Sequence, residues 1–325
     1  MQYKLRDYQT IASDIGVYNL KNYKQPFMLV LTIGAGKSLI IADICHQLNE
    51  PVLILCPNKE ILEQNSEKLK SYGIDDVKLY SASVNSKEIG KFTYATIQSV
   101  YKKPELFKHF KYVILDECHQ LSSKNFNGMY ISFLNAIKCK SVCGLTATPF
   151  RITQKAHNGV SNTGQKYKEY TATTEMMNRL YPFFFKKIAY KKEMKELIEA
   201  DFLVKTEYVM GFNADWTKLQ VNSTGADFTE QSLKVYANNT ALIKQIVSCI
   251  RQTEHEGRSS ITFTSSLKQA VTVQRTMKKY GITVGYIDGK TSAKERTQLV
   301  ADFRAGVIKH LVNMGTLTTG FDAPI

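Results

Sequence analysis

The chain has 325 residues, 43% hydrophobic and 22% charged, which suits about two domains with real cores and excludes a low-complexity polypeptide. Lysine and arginine number 43 against 29 acidic residues, and the resulting +14 favours a polyanionic partner, nucleic acid being the usual one, although solvated lysines explain it about as well. The six cysteines form no CxxC pair and no apolar run is long enough to cross a bilayer. A disulfide scaffold and a membrane-spanning protein are therefore excluded, and a reducing, cytoplasmic setting is expected.

Leu5-Arg6-Asp7-Tyr8-Gln9 opens a helical stretch to about Leu20. Arg6 and Gln9 share a helical face, and a glutamine amide can both donate to and accept from an adenine edge. Taken alone, this is also an ordinary polar helix start. Phe27–Leu31 reads as a buried strand and runs into Gly34-Ala35-Gly36-Lys37-Ser38, with a helix towards Leu48. Glycines let backbone approach phosphate, lysine supplies charge to the outer phosphates, and a serine hydroxyl suits Mg²⁺. The full phosphate-loop pattern has a further glycine where Leu31 stands, so the short form alone is only moderately specific. Val52–Cys56 is a second buried strand, with Pro57 and a helix from Asn58 after it; Phe92–Val100 is a strand ending in a polar turn.

Tyr112–Leu115 leads into Asp116-Glu117-Cys118-His119, and Val142–Leu145 into Thr146-Ala147-Thr148-Pro149. Apolar strands alternating with amphipathic helices, with polar residues at the strand ends, predict a doubly wound α/β sheet with its site along the carboxyl edge. The Asp116 strand is expected beside the phosphate-loop strand. Asp116 can hold Mg²⁺ through water, and Glu117 can take a proton from water attacking a γ-phosphate.

Residues 151–174 are polar without a clear period and read as a surface loop or flexible insertion. Lys186, Lys187, Lys191, Lys192 and Lys195 cluster near Phe183–Phe185 and Tyr190; a solvated face is the stronger reading, a nucleic-acid contact the weaker. Another polar stretch, 211–225, holds Trp216, and a helix is expected over 239–252. From Ser260 a second α/β pattern begins, with strands at 261–266, 282–287 and 310–313 and helices at 267–280 and 292–303. The expected organisation is a first domain over 1–195, connecting helices over 196–257 and a second domain over 258–325.

Gly34–Ser38, Asp116–His119, Thr146–Pro149 and Thr319-Gly320-Phe321-Asp322 match, in order, the motifs of superfamily 2 DEAD/DEAH-type helicases. With Leu5–Gln9, Gly144–Arg151 and Leu317–Pro324, the chain most resembles RadD-like DNA helicases and their phage relatives over nearly its whole length. The resemblance implies two RecA-like P-loop NTPase domains around ATP and Mg²⁺, with nucleic acid, DNA before RNA, as partner. It implies that Arg6 and Gln9 contact adenine, that Gly34, Ala35, Gly36, Lys37 and Ser38 hold phosphates, and that Ser38 and Asp116 hold the metal. Lys37, Asp116, Glu117 and His119 would be catalytic, with His119, Thr146 and Thr148 coupling nucleotide state to domain movement. Pro57, Gln98, Ser99, Thr264 and Thr319 would lie along the nucleic-acid backbone, and Gly320 and Asp322 would face the nucleotide.

Two departures stand out. Relatives usually place Pro-Thr where this chain has Thr32-Ile33, and they carry a later arginine motif, Q-x-x-G-R-x-x-R, which the sequence to Ile325 does not contain. A second domain that is incomplete, with the missing part belonging to a longer chain or a second polypeptide, is the expectation. The implied function is ATP-driven translocation on DNA, slow in hydrolysis without those arginines. The alternatives are a double-stranded DNA motor of a restriction-type system and an ATP-responsive nucleic-acid-binding protein without turnover.

Overall fold

The computed structural model describes residues 4–121, 128–160, 166–179, 183–207, 219–220 and 228–317. Two compact units emerge, 1–153 with 173–206, and 154–172 with 207–325.

The first unit begins with helix α1 (Asp7–Asn22), strand β1 (Phe27–Leu31), helix α2 (Lys37–Leu48), β2 (Val52–Cys56) and α3 (Lys59–Lys70). It continues through β3 (Val77–Ser81), β4 (Ser86–Lys87), β5 (Phe92–Thr96), the single turn α4 (Ile97–Val100), β6 (Tyr112–Leu115), α5 (Met129–Ala136) and β7 (Ser141–Thr146). The chain then passes through β8 (Phe150–Val160) and β9 (Lys166–Met176), most of which falls to the second unit, before the first unit closes with β10 (Lys187–Lys192) and α6 (Met194–Glu199). Eight strands form one sheet in the order β10-β1-β7-β6-β2-β5-β3-β4, parallel except for the short β4. Strands β1, β2, β5 and β6 are buried along their whole length because helices or other core residues cover both faces, which is why β1, β2 and β6 read as unbroken apolar runs, while β5 also buries Thr93 and Thr96. One core holds Leu29 and Ile54 with Ile40 and Ile44 of α2; the other holds Leu53 and Val113 with Phe107 and Phe133.

Three expectations are corrected here, and a fourth with the second unit below. The strand carrying Asp116, β6, does not neighbour β1: β7 lies between them, pairing Leu29 with Leu145 on one side and Ile114 with Cys143 on the other. The order of strands in the chain does not fix their order in space once helices cross over. Much of the expected loop at 151–174 is instead paired strand, β8 with β9, forming a two-stranded sheet. Its threonines and tyrosines favour extended backbone without the apolar alternation that marks a half-buried strand. The first unit also runs past 195, because Leu197 of α6 is fully buried in the same core as β1.

The lysine cluster falls largely on β10, the sheet's outer strand, where lysine discourages edge-to-edge pairing. Lys187 lies 3.9 Å over the Tyr23 ring, Lys191 pairs with Glu193, and Lys192 pairs with Glu196 at 2.9 Å. A solvated, internally paired edge accounts for these residues.

In the second unit, α7 (Glu230–Ala237) and α8 (Thr240–His255) precede β11 (Ser260–Phe263), α9 (Leu267–Lys279), β12 (Val284–Ile287), α10 (Ala293–Arg304) and β13 (His310–Asn313). The three strands are parallel, with β13 in the middle. Helix α8 is part of this core and not a connector: Ile243, Val247 and Ile250 pack with Ala270, Val273 and Met277 of α9. Phe303 of α10 packs with Ile287, Ile308 and Leu311 in a separate cluster. Trp216, Thr319, Gly320 and Asp322 lie outside the described residues.

His310 pins this unit internally. Its side chain is 1% exposed, with Nε2 at 2.6 Å from Glu254 Oε2 of α8 and Nδ1 at 2.8 Å from Ser260 Oγ of β11. Removing one partner leaves the others desolvated, so His310→Ala should cost about 1–3 kcal/mol, read as a lower urea midpoint at unchanged slope.

Candidate nucleotide site and nucleic-acid edge

The loop after β1 turns through two left-handed glycines, Gly34 at φ 79° and Gly36 at φ 78°. Neither tolerates a side chain. A Cβ on Gly36 would meet Gln9 Nε2 at 2.4 Å, and one on Gly34 would meet Leu203 Cδ2 at 2.7 Å. Gly36 caps α2, so Lys37 and Ser38 occupy the first turn, where unpaired amides and the helix dipole favour an anion. Ile33, where relatives differ, is 69% exposed and faces away from the packed core.

Gln9 is buried and already engaged. Its Oε1 accepts from the Arg6 amide at 2.9 Å, and its Nε2 donates to the Ala35 carbonyl at 3.0 Å, a contact that Tyr8 Oη also makes at 3.0 Å. In this structure Gln9 therefore ties helix α1 to the loop. Arg6 is exposed, its guanidinium 4.3 Å over the Phe202 ring, which also meets Tyr8 at 5.7 Å. Phe202 and Leu203 follow α6 and belong to no motif; sequence reasoning missed both. An aromatic-aliphatic pair just beyond a short helix was the available signal.

Asp116 and Glu117 follow β6 and differ sharply in environment. Asp116 is 6% exposed, with Oδ1 accepting from the Glu117 amide at 2.9 Å and Oδ2 from Asn65 Nδ2 at 2.8 Å. Burial, then the Glu117 charge, push its pKa up to about 6 against the pull of Lys37. Glu117 sits at φ 50°, uncommon for a side-chain-bearing residue. This turn brings Oε1 to 3.3 Å from Lys37 Nζ and Oε2 to 3.2 Å from His119 Nδ1. Burial alone would raise the Glu117 pKa, but His119 and Lys37 outweigh it and hold the carboxyl below its usual value. His119 Nδ1 also lies 3.0 Å from Thr146 Oγ1, which accepts from the Thr148 amide at 3.0 Å. Lys37, Glu117, His119 and Thr146 thus form one connected polar chain from the loop to the end of β7.

The family model for the res subunit of type III restriction enzymes matches residues 2–151, and that for the helicase conserved C-terminal domain matches 239–325. The chain belongs to the superfamily 2 helicases. A 51.5 kDa protein of a Lactococcus phage is 24% identical over 90% of this chain and 55% of its own length. The DNA 3'-5' translocase XPB2 of Sulfurisphaera tokodaii is 23% identical over 99% of the chain and 73% of its own. The chain spans about half the length of the first curated relatives it matches. Among solved structures, the type ISP restriction-modification enzyme LlaBIII bound to DNA has a TM-score of 0.61 at 15% identity, over 99% of this chain and 25% of that one. S. cerevisiae Dbp5 bound to RNA and ADP BeF3 has 0.52 at 16%, over 99% and 73%. Both carry the RecA-like α/β fold seen here.

The residues expected along a nucleic-acid backbone in the first unit lie at the carboxyl edge of its sheet. Pro57 follows β2, and Gln98 and Ser99 lie in the turn α4 after β5. Gln98 is exposed. Ser99 is occupied: its hydroxyl accepts from the Ala82 amide at 3.0 Å and lies 3.0 Å from Thr96 Oγ1, which continues to Ser81 at 2.9 Å. In the second unit Thr264 follows β11 and donates to the Asn313 carbonyl at 3.2 Å. Asn313, fully buried, accepts from the amides of Thr316 and Leu317 at 3.1 and 3.0 Å and so shapes the turn after β13. Sequence reasoning missed this residue too; an asparagine ending an apolar strand was its only mark.

The raised pKa of Asp116 sets a pH dependence. The folded carboxyl holds its proton up to about 6, against about 4 when unfolded, so its stabilising share is present below about 4 and is lost as pH rises through about 6. Asp116→Asn should therefore raise stability in chelator at pH 8 by about 1–3 kcal/mol, and the gain should fade by pH 4.5. Asn65 can turn its amide to meet the new side chain. Thermal unfolding at both pH values checks this; an equal shift at both would remove the Asp116 carboxylate as its cause.

Proposed function

We propose that this chain is an ATP-driven DNA translocase whose first unit binds and cleaves Mg²⁺-ATP. The polar chain from Lys37 through Glu117 and His119 to Thr146 supports this reading most directly. Lys37 exchanges Glu117 for the outer phosphates, leaving Glu117 to orient water and accept its proton. His119, held at Thr146, keeps Glu117 aimed and senses the change at the end of β7. Ser38 and Asp116 supply hard oxygen donors, and among the described residues no larger group of His, Cys, Asp and Glu forms a closed metal cage. That donor set suits Mg²⁺, which keeps waters and shares phosphate oxygens. When bound, the ion would neutralise charge developing on the phosphates. Arg6 and Gln9 form the adenine side, with Gln9 releasing one of its present hydrogen bonds to read the base.

Pro57, Gln98, Ser99 and Thr264 are proposed to follow the nucleic-acid backbone, with Thr319 completing the set and Gly320 and Asp322 facing the nucleotide. Backbone contact of this kind is indifferent to base sequence. DNA is favoured over RNA by the names of XPB2 and the DNA-bound restriction enzyme, although the Dbp5 neighbour was seen with RNA. A motor that moves on duplex DNA without unwinding is the second reading, and the match to a restriction-enzyme subunit is what favours it.

Lys37→Ala should weaken ATP binding roughly ten- to a hundredfold, the loss of one charge-assisted contact, by calorimetry. Glu117→Gln should bind ATP yet abolish turnover. Unchanged binding in the first variant would sink the assignment of the loop; turnover surviving in the second would remove Glu117 as the base. Strand displacement against triplex displacement separates unwinding from translocation.

DNA affinity should fall as salt rises, while Lys191→Gln, which removes a lysine already paired on the outer strand, should change it by less than about twofold. Filter binding across a salt series checks both.

A further inference from the structure

Helix α3 carries a polar residue where packing calls for an apolar one. Ile61, Leu62 and Leu69 form its buried face, and Asn65, only 1% exposed, sits among them. A buried amide is costly unless it is bonded. Here the amide reaches out of the helix to Asp116, donating to Oδ2 at 2.8 Å, and it also lies 3.9 Å from Cys56 Sγ at the end of β2. The opposite oxygen of Asp116 is held by the Glu117 amide, and the Asp116 amide donates to the Leu55 carbonyl of β2 at 3.0 Å. The orientation of this carboxylate therefore depends on one side chain from α3.

The other end of α3 faces a different task. Asn58 caps the helix by accepting from the Ile61 amide at 2.9 Å and directly follows Pro57, at the carboxyl edge of the sheet. Asn58 and Asn65 are seven residues apart, close to two helical turns, and so lie on nearly the same side of α3. A helix joined to the sheet edge through Pro57 at its cap and bonded to the carboxylate along its body transmits a shift at one to the other.

We propose that Asn65 is a positioning residue that links nucleic-acid contact at the start of α3 to the orientation of Asp116, and hence to the affinity for Mg²⁺-nucleotide. The inference rests on the functional reading above and names a link within it. By reciprocity, the same contact lets bound nucleotide alter the affinity for nucleic acid.

The test uses the whole 325-residue chain, a fluorescent ATP analogue with Mg²⁺ and a short oligodeoxythymidylate. Analogue affinity is measured with and without saturating oligonucleotide, and the ratio is the coupling factor. Wild type should show coupling of about fivefold or more. Asn65→Leu, close in volume but without a donor, should bring the ratio to within about twofold of unity, and Asn65→Gln, which keeps the amide, should restore much of it. A merely structural role would lower affinity equally in both conditions and leave the ratio unmoved. Should Asn65→Leu fail to fold by circular dichroism, Asn65→Asp keeps the outline while replacing the donor with a like charge, and it should also lose coupling. Wild-type coupling in a folded Leu or Asp variant overturns the inference and leaves the nucleotide site intact. A wild type that binds the analogue without any effect of DNA overturns it too. A wild type that does not bind the analogue overturns the functional reading, and the inference falls with it.

Discussion

Left-handed backbone at Gly34 and Gly36 lets two separate segments close on one short loop. Helix α1 presses Gln9 against Gly36, and the segment after α6 lays Leu203 on Gly34. From behind, Tyr8 and Gln9 both donate to the Ala35 carbonyl, fixing the peptide from the core side. If the loop cradles phosphate as proposed, this fixed shape spares it the cost of being ordered by the ligand, which would be subtracted from affinity. Much of the first unit, from the helix at residue 7 to the turn at 203, helps to fix this shape. Gly36 is also the cap of α2, so the same conformation that shapes the loop starts the helix whose first turn carries Lys37 and Ser38.

The acidic pair shows how two neighbouring carboxyl groups acquire different chemistry. Asp116 continues the line of β6 and is enclosed, so it is costly to ionise and is oriented by amide donors. Glu117 is turned into a left-handed conformation that costs about 1–3 kcal/mol for an ordinary side chain. The hydrogen bond to His119 and the contact with the Lys37 ammonium hold its carboxyl below the usual value despite burial. The two environments suit the proposed roles, one group sharing an ion and the other handling a proton, and the difference comes from backbone direction, not residue type.

Much of this was legible in the sequence because fully buried parallel strands leave unbroken apolar runs, and β1, β2, β6 and β7 each end at a polar motif. The loop and the acidic pair could be read from type and spacing. Strand order could not, since β7 enters between β1 and β6 only through a crossover that leaves no local mark. The β8–β9 pair escaped because a polar segment such as β8 and a threonine- and tyrosine-rich one such as β9 resemble loops when no clear apolar alternation is present. Asn65, Leu203 and His310 escaped for a further reason. Each acts through a partner far away in sequence, so an asparagine in a helix or a histidine opening a strand looks ordinary until the fold brings Asp116, Gly34 or Glu254 against it.

Charge invites a similar distinction between total and placement. The excess of +14 suggests a basic surface, yet the lysines of β10 are engaged with Tyr23, Glu193 and Glu196 on the outer strand. Along the carboxyl edge of the sheet the motif residues are mostly uncharged: Pro57, Asn58, Gln98 and Ser99. A hydroxyl or amide that contacts phosphate holds it less tightly than a fixed ion pair would. Under the proposed function, a motor stepping along a strand would have to release each phosphate as readily as it takes it, and contacts that a small backbone shift can make or break would suit that better than a row of lysines. The bonding of Ser99 to Ala82 and Thr96 puts one such hydroxyl under the control of two neighbouring strands, β3 and β5, and any movement there would be felt at the edge.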